Sequence, residues 1–273
     1  KKLLFDNLSS SSFCLTNKDD KNGAFMLQNT KASKFYYALK TSADFKGKVI
    51  EMDIAGMLLN INQIEAWYQL TGGFNAANLL LVYGTAFLLE KAPEDIVTEL
   101  TKVGRVPGRF EIIKSTNGIT AIVDYAHTPD ALENLLRSVN GIRTKNEILF
   151  TVFGCGGNRD REKRPEMAKA AAKLSDKILI TSDNPRDEVP EAIIAEIEVG
   201  VPVEHKKKTI SITDRRQAIR TAIMMAEKGD IIVVAGKGHE TYQEVGDKAE
   251  PFDDRQIIQK ILNDLANNGQ VQS

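Results

Sequence analysis

Four short, almost unbroken apolar runs constrain this chain more than any other feature: Ile119–Val123, Ile148–Phe153, Lys177–Ile180 and Asp230–Ala235. Runs without hydrophobic–polar alternation are expected of strands buried on both faces. Helical patterns lie between and around them, at Asp130–Val139, Arg164–Leu174, Pro190–Val199 and Thr213–Glu227, the last opened by a Thr-Asp cap. Strand alternating with helix predicts an α/β fold: a doubly wound, mostly parallel, Rossmann-like sheet with right-handed crossovers. No internal repeat or low-complexity tract interrupts it.

Residues 1–72 read differently, as short extended segments at Ser12–Thr16, Ala24–Gln28, Lys34–Leu39, Lys48–Ile54 and Gln63–Leu70. Turn signals at Asp19-Asp20-Lys21-Asn22-Gly23 and Asp44-Phe45-Lys46-Gly47 separate them. Helical spacing follows over Phe74–Glu90, and again over Pro93–Val103, with Pro at the first turn. Val106-Pro107-Gly108-Arg109 interrupts both periodicities and sets the expected boundary between units 1–105 and 106–273. A chain of 273 residues has room for two such units. It opens Lys1-Lys2-Leu3-Leu4-Phe5-Asp6 without an initiator Met, so a piece beginning inside a domain is expected.

Charge argues against two classes of partner. With 36 basic and 37 acidic residues the net charge is -1, which gives no electrostatic reason to expect nucleic acid or an anionic membrane. No apolar run reaches the roughly 20 residues that span a bilayer. The longest candidate, Ala76–Leu89, is broken by Asn78, Tyr83, Gly84 and Thr85. Two cysteines, Cys14 and Cys155, make neither a disulfide framework nor a four-cysteine zinc site. The cytoplasm is the expected compartment and a monomer the expected state.

Chemistry-bearing residues gather just after the four apolar runs. They are Asp124-Tyr125-Ala126-His127-Thr128-Pro129-Asp130, Gly154-Cys155-Gly156-Gly157-Asn158-Arg159-Asp160, Ser182-Asp183-Asn184-Pro185-Arg186 and Gly236-Lys237-Gly238-His239-Glu240. In open α/β sheets ligands bind beyond the carboxyl ends of the strands, so four clusters at four such ends converge on one cleft. Each cluster also has a plainer reading. Asp124 and Asp130 serve as turn former and helix cap, and Asn184-Pro185 as a turn. Gly154-x-Gly156-Gly157 lacks the third glycine of a dinucleotide loop. Cys155 reads as packing, and His205, in a basic run, as a solvated loop.

Five motifs in fixed order carry a resemblance to a family. Gly108-Arg109-Phe110-Glu111, the Asp124–Asp130 segment, Gly156–Pro165, Asp183-Asn184-Pro185-Arg186 and Gly236–Gln243 resemble those of the Mur ligases of the type that forms UDP-N-acetylmuramoyl-tripeptides. Gly72-Gly73-Phe74-Asn75-Ala76-Ala77-Asn78 resembles the family's Gly-x-Phe-Asn-x-x-Asn helix start. The resemblance runs from about residue 1 to 262.

The resemblance implies that 1–105 is the carboxy-terminal part of a central ATP-binding domain and 106–273 the amino-acid-binding domain. It implies an ADP-forming ligase of peptidoglycan precursor synthesis, with ATP and Mg2+ as cofactors. Its substrates would be UDP-N-acetylmuramoyl-L-Ala-D-Glu and meso-diaminopimelate, whose carboxylate and amine are joined through an acyl phosphate. Asp183-Asn184-Pro185-Arg186 resembles the signature for diaminopimelate over lysine, and Arg186 offers a planar fork for the distal carboxylate that lysine lacks. Arg159 takes the family's second arginine position; Asp183, Asn184 and Pro185 line the pocket; Gly236 gives its backbone carbonyl and Glu240 pairs with the distal ammonium. Asn75, Asn78, Arg109, Asp124 and His127 are implied to approach ATP, and Lys1 aligns with a carbamylated lysine at the metal site. No catalytic residue is assigned. The family's phosphate loop and uridine-nucleotide domain would precede Lys1, so residues 1–273 alone are expected to lack turnover.

Three alternatives stay open on sequence. A folylpolyglutamate synthetase or lysine-adding relative has an Asp-x-x-His segment, but Asp183-Asn184-Pro185-Arg186 is not expected in the folate enzymes. A noncatalytic Rossmann-like binding module would bind without turnover. Hydride transfer is disfavoured by the broken glycine fingerprint.

Overall fold

The computed structural model describes residues 1–144 and 146–270, which divide into two compact units between Arg105 and Val106. The first unit runs α1 (Lys2–Asp6), β1 (Phe13–Asn17), α2 (Gly23–Met26), β2 (Ser33–Ala38), β3 (Phe45–Met52), β4 (Met57–Ile61), β5 (Ile64–Tyr68), α3 (Gly73–Leu88) and α4 (Pro93–Thr101). Its sheet has the order β1-β2-β3-β4-β5, parallel through β3 and antiparallel from β3 to β5. Phe45, Leu59 and Ile61 pack against Leu79, Leu80 and Tyr83 of α3 and Ile96 of α4. Phe45 meets the Tyr83 and Phe87 rings edge-on at 6.1 and 5.6 Å.

One sequence expectation fails here. Ala24–Gln28, read as extended, contains most of the short helix α2. Short apolar runs do not distinguish strand from buried helix by periodicity. The turn decides: Asp20 accepts N–H bonds from Asn22 and Gly23, so the backbone is already coiling when the apolar residues arrive. Phe45–Gly47, read as part of a turn, instead opens β3.

The second unit runs β6 (Glu111–Lys114), β7 (Thr120–Asp124), α5 (Pro129–Ile142), β8 (Leu149–Phe153), α6 (Lys163–Leu174), β9 (Lys177–Ile180), α7 (Pro190–Glu198), a 3-10 turn (Val203–Lys208), β10 (Thr209–Ser211), α8 (Arg215–Met225), β11 (Ile231–Ala235), β12 (Tyr242–Val245), β13 (Lys248–Pro251) and α9 (Asp254–Gln270). The sheet order is β10-β9-β8-β11-β7-β6, parallel except for β6. The four apolar runs are β7, β8, β9 and β11, and every residue of β8 and β11 is buried.

Alternation sends each strand's residues to two cores. Ala121, Val123, Phe150, Val152, Ile232 and Val234 face Ala218, Ile219 and Ile223 of α8 and Ile257, Ile258 and Leu262 of α9. Ile122, Leu149, Phe153 and Val233, the intervening residues, are also buried, as a sheet covered on both sides requires. The chain winds from β7 out through β8, β9 and β10, then returns to insert β11 between β7 and β8. The reversal of direction at β7, β11 and β8 opens a crevice at their carboxyl ends.

Candidate functional site

The loops after β7, β8, β9 and β11 meet around one cleft of about 580 Å³ in the second unit, a size within the roughly 300–1,000 Å³ usual for small-molecule sites. Its lining includes Arg159 and Lys163 from the loop after β8, Asp183, Asn184 and Arg186 from the loop after β9, and Gly236 and Glu240 from the loop after β11. Tyr125 and His127 border it from the loop after β7, and Tyr242 and Glu244 from β12. Six of the seven residues implied for the amino acid therefore share one cavity. Pro185, the seventh, accepts the Glu188 N–H and fixes the turn behind it.

The loops after β8 and β9 are fastened together. Gly157 N–H donates to the Asn184 carbonyl at 2.8 Å. A Cβ at Gly157 would run into the Pro185 carbonyl oxygen, so only glycine permits that approach. Beneath them, the fully buried Arg164 donates to Glu188 at 2.8 and 2.9 Å and to Glu196 at 2.7 Å, and to the Gly156 carbonyl at 3.4 Å. Glu188 also accepts the Asn158 N–H at 2.6 Å. The Arg164 guanidinium, then the Asn158 amide, hold the Glu188 carboxyl down at about 2. This network sets the backbone that presents Arg159. Arg159 itself is exposed and has no hydrogen bond or ion pair among the described residues, which leaves a guanidinium free for an anionic ligand.

Arg186 is less free than its sequence suggests. Its backbone is left-handed at φ 50° and is pinned to β12, donating to the Glu244 carbonyl and accepting from Gly246 N–H. The guanidinium donates through Nη1 to the Gly157 carbonyl at 2.9 Å, and Nε lies 2.7 Å from Glu244 Oε2. That last contact is close but poorly aligned: Glu244 Oε2 is buried and receives no directed hydrogen bond. We treat it as an ion contact, because charge attraction tolerates an angle that a hydrogen bond does not.

Glu240 likewise already has company. Its Oε2 accepts from Asn184 Nδ2 at 3.1 Å and from Lys237 Nζ at 3.2 Å. Lys237 is fully buried, also donates to Asn184 Oδ1 at 2.8 Å and stands 3.8 Å from Asp183 Oδ1. An internal ammonium thus sits among Asp183, Asn184 and Glu240. Burial, then the Glu240 charge, pushes the Tyr125 phenol upward.

The nucleotide candidates are distributed between the units. Asn75 Nδ2 donates to the Thr71 carbonyl at 2.8 Å at the start of α3, and Asn78 is exposed one turn on. In the second unit both Asp124 oxygens accept backbone N–H groups, from Phe110 at 2.7 Å and Ala126 at 2.8 Å. Burial pushes the Asp124 carboxyl up against those bonds, and its local work is holding the 108–110 turn. There a Cβ at Gly108 would collide with the His239 backbone. Arg109 lies over the Tyr125 ring at 4.7 Å, close enough for its charge to favour the ionised Asp124 carboxyl. His127 Nδ1 donates to the Tyr125 carbonyl at 2.9 Å, since a carbonyl oxygen can only accept. Magnesium is a different matter: among the described residues no group of three His, Cys, Asp or Glu side chains is placed to hold a metal, and Lys1 offers only a capping backbone carbonyl to Leu4 N–H.

Sequence reasoning missed Lys237, Glu244 and the Arg164–Glu188 pair. Lys237 stands between Gly236 and Gly238, where only the Gly236 backbone carbonyl and Glu240 were given a role. A charged residue two positions past a fully apolar strand was the available signal for a buried, partnered cation.

Comparison with known proteins completes the picture. Residues 108–238 match the family described as Mur ligase, glutamate ligase domain. A UDP-N-acetylmuramoyl-L-alanyl-D-glutamate--2,6-diaminopimelate ligase of Bacteroides thetaiotaomicron is 52% identical over 96% of this chain and 55% of its own length. A solved structure of a ligase with the same name is 33% identical, with a TM-score of 0.61 over 93% of this chain and 54% of that one. The MurF ligase of Thermotoga maritima in complex with ADP, at 13% identity and a TM-score of 0.67 over 96% of this chain and 55% of its own, shares the fold. The chain belongs to the Mur ligases. Within that family its similar curated relatives are named as the diaminopimelate-adding enzymes, and the chain spans about half their length.

Proposed function

We propose that these residues are part of an ATP-dependent ligase that joins meso-diaminopimelate to UDP-N-acetylmuramoyl-L-Ala-D-Glu, and that the cleft of 106–273 receives the amino acid. A single observation carries the reading: Arg159, Arg186 and Glu240, borne on three loops, line one cavity. Two guanidinium groups and a carboxylate suit the zwitterionic far end of diaminopimelate, and a lysine would forgo the distal carboxylate contact. In the reaction, the dipeptide carboxylate takes the γ-phosphoryl group of ATP, releasing ADP, and the amine displaces phosphate to form the amide. The cleft's part is to hold the amine's carrier in one orientation. Arg109, over Tyr125, is the proposed nucleotide contact of the second unit, and Asn75 and Asn78 are those of the first.

Calorimetry of the 273-residue chain with meso-diaminopimelate and with L-lysine tests this. The expected result is binding of the former at least about ten-fold tighter, and a weakening of about ten-fold in Arg186→Ala that leaves binding measurable. Equal affinity for the two amino acids, or an Arg186→Ala variant that binds like the wild type, would overturn it.

A further inference from the structure

Arg186 carries an acid of its own. Glu244 Oε2 stands 2.7 Å from Arg186 Nε, on the cavity wall where the incoming carboxylate must arrive. No aligned hydrogen bond holds that oxygen, and Arg186 is its ion-pair partner among the described residues. Backbone bonds in both directions between the Arg186 and Glu244–Gly246 segments keep the pair in register whether or not the side chains touch. The arrangement is therefore a side-chain contact that can open without moving the main chain. Its two side chains are 24% and 34% exposed, so water can receive the displaced carboxylate.

We propose that Glu244 is an intramolecular stand-in for the substrate's distal carboxylate, which displaces it from Arg186 on binding. The inference rests on the amino-acid site proposed above. Its consequence is for selectivity. With Glu244 in place Arg186 is satisfied in the empty site, so a lysine entering the cleft does not strand a naked guanidinium. An amino acid with a distal carboxylate gains only the difference between its own contact with Arg186 and that of Glu244. Glu244 thus lowers affinity for diaminopimelate and narrows its advantage over lysine, while keeping Arg186 extended toward the cleft.

The test is a double-mutant cycle by calorimetry on the 273-residue chain, with thermal unfolding to confirm that each variant is folded. Glu244→Gln keeps the shape and removes the charge. It should bind meso-diaminopimelate roughly two- to five-fold tighter, the gain available from releasing a partly exposed ion pair, with L-lysine affinity unchanged. In the Arg186→Ala background the same substitution should change nothing, because nothing remains to compete for. Unchanged or weaker binding by Glu244→Gln, or a gain that persists without Arg186, overturns the stand-in role. Arg186→Ala binding like the wild type instead defeats the amino-acid site itself, so the two failures are told apart.

Discussion

Arg164→Met tests whether the buried network beneath the cleft acts as argued. The wild-type guanidinium makes three short bonds to Glu188 and Glu196 with its side chain wholly buried. Removing one member of a buried ion network costs about 3–5 kcal/mol when the residue left behind stays dry. Here Glu188 and Glu196 are 21% and 34% exposed, and Arg161 keeps its contact with Glu196. Hydration and that second arginine reduce the expected loss to about 2–3 kcal/mol at pH 7. Acid gives an independent check. The Glu188 carboxyl is held at about 2 against an ordinary 4.5. A folded-state value below the unfolded one contributes stability that is complete above the unfolded value and drains away as pH falls toward the folded one. The gap between wild type and variant should therefore shrink by roughly half between pH 7 and pH 3. Urea unfolding followed by circular dichroism reads it, since the sole tryptophan, Trp67, lies in the first unit. A loss below about 0.5 kcal/mol, or one as large at pH 3 as at pH 7, refutes the network as a load on this fold.

Arg159→Ala should weaken meso-diaminopimelate binding about ten-fold or more in calorimetry yet leave the unfolding midpoint in place, since that exposed side chain has no hydrogen bond or ion pair among the described residues. Gly157→Ala forces a Cβ into the Pro185 carbonyl and should cost about 1–3 kcal/mol in urea unfolding, with ligand binding lost as the two loops part. Asp254→Ala strands the fully buried Arg215, which donates to Asp254 at 2.9 and 2.7 Å, and should cost about 3–5 kcal/mol by the same measurement. Burial pushes the Cys155 thiol up to about 12, so a thiolate-selective disulfide reagent at pH 8 should label it only after denaturant is added.

The parallel sheet was legible because burial on both faces keeps β7, β8 and β11 apolar apart from Thr120, Thr151 and the terminal Asp124, with a glycine directly after β8 and β11. The same rule located the cleft. What stayed hidden were elements whose identity depends on distant partners. β6 is four residues long and exists because β7 pairs with it. The β12–β13 hairpin is mostly exposed and gives no apolar run, and it is tied to the loop after β9 by contacts such as the Arg186–Val245 bridge and the Glu244 N–H bond to Asn184 Oδ1. α9 was not read from the sequence, although Ile257, Ile258, Leu262 and Leu265 pack on one core, and the aspartate at its start gave no sign of its partner Arg215. Pairing of Arg186 with Glu244 and of Lys237 with Glu240 could not be read, since sequence spacing does not say which opposite charges meet.

The order of the second sheet bears on how the chain is made. β7 and β8 do not touch; β11, encoded more than seventy-five residues after β8, is the slat that joins them. A nascent chain that has not yet delivered Ala235 holds two part-sheets with bare inner edges, and such edges invite pairing with other strands. Assembly of the crevice must wait for that late, long-range insertion, which makes collapse of this unit slow relative to a helical bundle of its size. Shortening the chain before β11 would remove the keystone of the sheet along with the loop that carries Glu240.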